Sequence, residues 1–399
     1  MSKRDYIPVY SPDFDVDERT ALAQTAWTSR FLTANKKCET FEKEMCKYHN
    51  RRHAVMVNSG SSAILIAVAS MEWKRGTKIA TPACTFGTTL SPLIIYGLTP
   101  VFIDVLPGTY NVDPDKLYDA VSADRDIIGC VIPHTLGNPV HPGIWSYFPD
   151  NSIEDACDAF GSRINSELCG KFGNISCFSF FPAHHLTSIE GGLCITNHPD
   201  LWRRMQQYSR WGRDCWCPAG EYPNGLCGNR FKHELDDGTP LDHKYLFGKA
   251  GFNVKADELR ASVALTQLKK VERYDEIRKR NFQIIYDSLR ELGEHILLPQ
   301  IHNTAQPSWF AFPITIKKEG KREAITQALE SKGVGTRHIF MGNATRHPMM
   351  NGVEYIAPHG LEQSDKVLHD AFCVGLNQTI TEEEADYIGK TVAEVVAGG

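Results

Sequence analysis

Short apolar segments alternate with helical runs through the first half of this chain, and that alternation leaves few architectures open. Ala54-Val55-Met56-Val57 is followed by an apolar helix running from Asn58-Ser59-Gly60-Ser61-Ser62-Ala63 to about Met71. Lys78-Ile79-Ala80 leads to Thr81-Pro82-Ala83-Cys84-Thr85-Phe86 and a helix through Ile95. Pro100 to Val105 leads to a helix opened by Asp113. Ile127 to Pro133, Ser152 to Asp155 and Cys177 to Phe181 continue the series. Parallel strands need a crossover, usually a helix, so this order predicts an α/β fold with a mostly parallel mixed sheet covered on both faces.

At 399 residues the chain has room for two domains. Residues 1–275 read as the large one, with a lead-in over 1–35 and helices at Asp17–Thr28 and Cys38–Tyr48. Helical runs follow from Leu201 to Trp211, from Asp257 to Leu268, and on to Leu292. Between the first two of these, residues 212–243 form an irregular insert rich in Gly, Pro, Asp and Cys, and loops of that length usually carry function. Trp309 to Ile316, a helix from Glu323 to Lys332 and one after Thr381 predict a smaller α+β domain over 276–399. A net charge of −5 gives no electrostatic case for nucleic acid or an anionic membrane. No apolar run reaches the roughly 18 residues of a membrane helix, and the N-terminus lacks a signal-peptide core. The expected location is the cytoplasm. There most of the 12 cysteines are expected to be small buried hydrophobes and not disulfides.

Three stretches carry candidate chemistry. The Ser59-Gly60-Ser61 turn at a helix start exposes N–H groups and the positive end of the helix dipole, a phosphate site or a plain tight turn. Ser152-Ile153-Glu154-Asp155-Ala156-Cys157-Asp158 puts three carboxylates at a strand end. Phe178-Ser179-Phe180-Phe181-Pro182-Ala183-His184-His185 is a strand that runs into a polar loop. Open α/β sheets keep their ligands at such strand ends, although paired histidines are more often surface or core residues.

These blocks resemble, in order and over nearly the whole chain, the sugar aminotransferase-like (DegT/DnrJ/EryC1/StrS) family of fold-type I pyridoxal phosphate enzymes. So do His134-Thr135-Leu136-Gly137-Asn138, Gly212-Arg213-Asp214-Cys215, Asp242-His243-Lys244-Tyr245 and Gly333-Val334-Gly335-Thr336-Arg337. Within the family the likeness is to the iron–sulfur 3-dehydrases acting on CDP-4-keto-6-deoxyglucose. The resemblance implies that Asp155 keeps the cofactor's pyridine nitrogen protonated, so that the ring is an electron sink, and that Phe86 stacks on the ring. It implies that Gly60, Ser61 and Ser179 hold the phosphate, with Asn253 reaching across from the second subunit of a homodimer. Where the aminotransferases carry their Schiff-base lysine this chain has His184. Histidine forms no imine, so the resemblance implies pyridoxamine phosphate held non-covalently, with His184 as base. An unperturbed imidazole, with a pKa of about 6.5, suits that task at neutral pH. Asp158 and Phe310 stand where the aminotransferases tend to carry other residues near the ring, and His185 reads as a bystander.

The same resemblance gives the insert a role. Cys157, Cys215, Cys217 and Cys227 are separated by 57, 1 and 9 residues. The dehydrases share the first two spacings and have a shorter third. Four thiolates suit a 2Fe–2S cluster, fed by an NADH-dependent flavin and iron–sulfur reductase. Phe181 stands where the dehydrases commonly have tyrosine. The expected reaction is loss of the C3 hydroxyl from a nucleotide-linked 4-keto-6-deoxyhexose, followed by one-electron reductions. Two alternatives stay open: a cluster-free, glutamate-dependent 3-dehydratase of the GDP-sugar type, and an inactive relative serving as a binding subunit.

Overall fold

A computed structural model describes residues 5–215, 217 and 228–398. Seven strands form the main sheet: β1 (His53–Val57), β2 (Lys78–Pro82), β3 (Thr99–Ile103), β4 (Ile127–Pro133), β5 (Ser152–Asp155), β6 (Ile175–Ser179) and β7 (Gly192–Thr196). Their spatial order is β1-β7-β6-β5-β4-β2-β3. The block from β3 to β6 is parallel, and β7 runs antiparallel to both of its neighbours. The parallel block matches the sequence expectation. The sixth strand ends at Ser179, two residues before the expected stop, because the Phe180 carbonyl turns away to accept from Ser188 N–H and Thr187 Oγ1 instead of returning a ladder bond to Gly191. The return strand β7 was not anticipated: Leu193-Cys194-Ile195 is short, and the glycines before it read as a loop.

Helix Gly60–Met71 packs one flank of the sheet, with Ala63, Ile66, Ala67 and Val68 buried in the core. On the other face Phe41, Met45, Phe178 and Phe180 pack together. Glu258 is buried and accepts the N–H groups of Asn35, Lys37 and Cys38, supplying the cap that helix Lys36–Tyr48 lacks from its own Asn35 side chain. Asp104 does the same for the helix at Glu362–Asp370, taking the N–H groups of Gln363 and Ser364.

The C-terminal part is a four-stranded sheet, in the order Ile296–Leu297, Phe312–Ile316, Ala371–Val374, Thr336–Arg337, covered by the helices Arg322–Ser331 and Glu382–Gly398. Helix Val271–Leu289 passes unbroken through residue 275, where the sequence suggests a boundary. Ile7 and Val9 of the lead-in are buried in the C-terminal core. Among the described residues no helix is long and apolar enough to cross a membrane.

Candidate active site

Register brings the strand ends together. Pro133 of β4 lies opposite Asp155 of β5, and Asp155 opposite Cys177 of β6. The residues that follow, His134, Cys157, Asp158, Ser179, Phe181 and His184, therefore open onto one cavity of about 430 Å³ at the carboxyl edge of the sheet. Gly60, Ser61 and Phe86 line it from the large domain; Phe310, Arg337, His338 and Phe340 line it from the C-terminal part.

At one end of the cavity begins the helix Gly60–Met71, whose N-cap Ser59 accepts the Ser62 N–H. The first N–H groups, those of Gly60 and Ser61, have no carbonyl partner within the helix. Ser179 presses against this turn: a Cβ at Gly60 would lie 2.5 Å from Ser179 Cβ. Gly60→Ala is therefore expected to push the turn off Ser179 and to weaken phosphate-ester binding there at least 10-fold, measured by pyridoxamine phosphate titration.

Asp155 is buried; its Oδ2 accepts from Thr89 Oγ1 at 2.7 Å and its Oδ1 from Cys157 N–H at 3.2 Å. Phe86 is 54% exposed and meets Phe340 edge-on, an open aromatic face. His184 Nδ1 stands 3.4 Å from Asp158 Oδ1 and has no hydrogen-bond partner. Phe310 leans on the imidazole, with ring centroids 5.3 Å apart. Burial, then the charge of Arg278, pushes the His184 pKa down to about 3, well below the ordinary value assumed from sequence. Burial, then the Asp155 carboxylate, pushes Asp158 up to about 8. At neutral pH the pair is thus a neutral imidazole beside a carboxylic acid. His185 does not line the cavity; its Nε2 lies 2.8 Å from the Ser308 carbonyl.

Cys157 lines the cavity, and burial followed by the Asp155 carboxylate pushes its thiol well up. Cys215 and Cys217 are half-buried and do not line the cavity; Cys227 lies outside the described residues. Asn253 is exposed, also outside this cavity, with its backbone bridged to Arg210. Sequence reasoning missed Arg278. This fully buried guanidinium donates to the carbonyls of Trp309 and Phe310 and to Gln378 Oε1, so it holds the Phe310 segment in place. Its spacing with Tyr274, Asn281 and Ile285 on the buried helix face was the available signal. No lysine lines the cavity among the described residues.

A phosphate-sized helix start, a strand-end acid and an open aromatic face at the carboxyl edge of a mixed sheet define the class: a fold-type I pyridoxal phosphate enzyme fold. The chain belongs to the DegT/DnrJ/EryC1/StrS aminotransferase family, whose model matches residues 13–393. It is 38% identical, over 96% of its length and 85% of the relative's, to dTDP-4-dehydro-2,6-dideoxy-D-glucose 3-dehydratase of Saccharopolyspora spinosa. It is 35% identical, over 90% and 84%, to the lipopolysaccharide biosynthesis protein RfbH of Salmonella typhimurium. The solved structure of Escherichia coli GDP-4-keto-6-deoxy-D-mannose-3-dehydratase with bound hydrated PLP superposes with a TM-score of 0.85 at 26% identity, covering 98% of this chain and 99% of that one.

Proposed function

We propose that this chain is a cytoplasmic 3-dehydrase that removes the C3 hydroxyl of a nucleotide-linked 4-keto-6-deoxyhexose, CDP-4-keto-6-deoxyglucose in the first instance, using pyridoxamine phosphate. The observation that carries this reading is a cavity with the family's cofactor-binding groups and a histidine, with no lysine, on its loop. The residues fit the cofactor. Gly60 and Ser61 offer N–H groups and Ser179 a hydroxyl to its phosphate, Phe86 a stacking face, and Asp155 a carboxylate to its ring nitrogen. Asn253 would complete the phosphate site from the second subunit of a homodimer. When bound, the group supplies an amine for the C4 ketone and a ring that accepts electrons.

The chain's own residues do the rest. With Nδ1 turned toward Asp158, Nε2 of His184 is the nitrogen left to accept a proton. Phe310, held by Arg278, closes one side of that imidazole and keeps water from it. The protonated Asp158 sits within reach of the same ring and replaces a second negative charge beside Asp155.

Cys157, Cys215, Cys217 and Cys227 are proposed to hold a 2Fe–2S cluster. The overall reaction then replaces C3–OH by C3–H, with two electrons passed singly from NADH through a flavin and iron–sulfur reductase, and with water leaving. Metal binding would displace the Cys157 proton that burial and then the Asp155 carboxylate otherwise hold in place. Protein purified anaerobically is expected to be brown, with about two irons per chain and an EPR signal on reduction. Cys217→Ser should lose most of that iron; full iron content in the variant would remove the ligand assignment. A second reading is a cluster-free 3-dehydratase, favoured by the 27% identity to GDP-4-keto-6-deoxy-D-mannose 3-dehydratase of Escherichia coli over 96% of this chain. Iron-free protein, colourless apart from the cofactor, that consumes glutamate would establish it.

A further inference from the structure

We propose that Tyr10 is a substrate-binding residue whose phenol hydrogen-bonds the hexosyl part of the nucleotide sugar at the mouth of the cavity. This rests on the function proposed above. The lead-in alternates: Ile7 and Val9 are each 3% exposed in the C-terminal core, which turns Tyr10 to the opposite side. The backbone there is pinned. Ile7 N–H donates to the Gly333 carbonyl at 2.7 Å, Gly335 N–H to the Ile7 carbonyl at 2.9 Å, and Asn377 Nδ2 to the Val9 carbonyl at 3.2 Å. The Tyr10 ring stands edge-on to Phe181, with centroids 6.1 Å apart. Phe181 in turn accepts the His184 N–H in one tight turn at 3.0 Å. A phenol from the far end of the sequence is thereby fixed in the wall that carries the proposed base.

The phenol oxygen has no hydrogen-bond partner among the described residues, and Tyr10 is the one tyrosine among them that lines the cavity. Its neighbours on this wall, Val9 and Phe181, offer a sugar only apolar contact. A bound hexose strips water from the phenol, and an unmatched polar group is costly there, so the phenol is matched by a sugar oxygen. The reacting carbons have to lie beside His184, which makes the hexosyl group, rather than the nucleotide, the part that meets Tyr10.

The test uses full-length protein loaded with pyridoxal phosphate, whose aldehyde does not condense with a ketone, so that binding is read without turnover. Calorimetric titrations with CDP-4-keto-6-deoxyglucose and with CDP are compared for the wild type and Tyr10→Phe. The variant keeps the ring and its contact with Phe181, and an unchanged melting temperature checks the fold. The expected result is about 5- to 10-fold weaker binding of the sugar nucleotide and unchanged binding of CDP. In turnover, KM should rise with kcat nearly constant. Equal binding of the sugar nucleotide by the two proteins, or an equal loss for CDP, overturns the assignment while the proposed function stands. A wild type that binds neither probe overturns both.

Discussion

His184→Asn is expected to lose roughly 10²–10⁴-fold in turnover while folding and taking up pyridoxamine phosphate as the wild type does. Asparagine fills similar space and keeps polar atoms near Asp158, but it cannot accept a proton at neutral pH. The measurements are turnover of CDP-4-keto-6-deoxyglucose and, separately, cofactor binding by absorbance. A variant that still expels the hydroxyl at the wild-type rate removes the base assignment. The pH dependence carries a second check. Protonation switches a histidine base off, and burial with the Arg278 charge brings that event down to about pH 3. Turnover should therefore show no inflection from this imidazole between pH 7 and 5, where an ordinary histidine would titrate.

Glu154→Ala should be the most destabilising single change in the large domain, at about 3–5 kcal/mol, read from denaturant unfolding. Glu154 is fully buried, one residue before Asp155. Its two oxygens take five donors: Ser176 Oγ, the N–H groups of Gly170, Phe172 and Gly173, and His134 Nε2 at 2.8 Å. His134 Nδ1 accepts the Val140 N–H, which leaves the ring proton on Nε2 and makes it a donor. Loss of the carboxylate leaves all five donors buried without a partner. With both oxygens so occupied, the neighbouring Cys169 and His134 do not make this cluster a metal site. Burial alone would raise the Glu154 pKa, but His134 and the other donors outweigh it and hold it at about 2. The folded pKa is depressed, so this stabilisation is complete above about pH 4.5 and is lost as pH falls toward 2. The stability gap between wild type and variant should narrow over that window and stay constant above it.

Much of the site was legible early because its parts sit at strand ends, and strand ends are marked locally. Pro133 closes an apolar run, Asp155 stands in a cluster of three carboxylates, and Pro182 breaks the chain shortly after the strand that ends at Ser179. Ser59-Gly60-Ser61 reads as a helix start because serine caps and glycine permits close approach. Arg278 and Tyr10 escaped for different reasons. A single arginine in a charged amphipathic helix is normally solvated, and only packing under Trp309 and Phe310 buries this one. Tyr10 sits in an extended lead-in, and its use depends on where the C-terminal sheet pins that segment.

The amino-acid order alone determined the layered, mostly parallel architecture and put an imidazole where the resemblance to the aminotransferases implies a lysine, since periodicity and residue identity are local properties. Only the tertiary structure decided how far burial depresses the pKa of that imidazole. It alone brought a tyrosine from the first ten residues to the same wall. Those outcomes depend on sheet register, on desolvation and on contacts between segments more than a hundred residues apart, and none of these is encoded in any one stretch of chain.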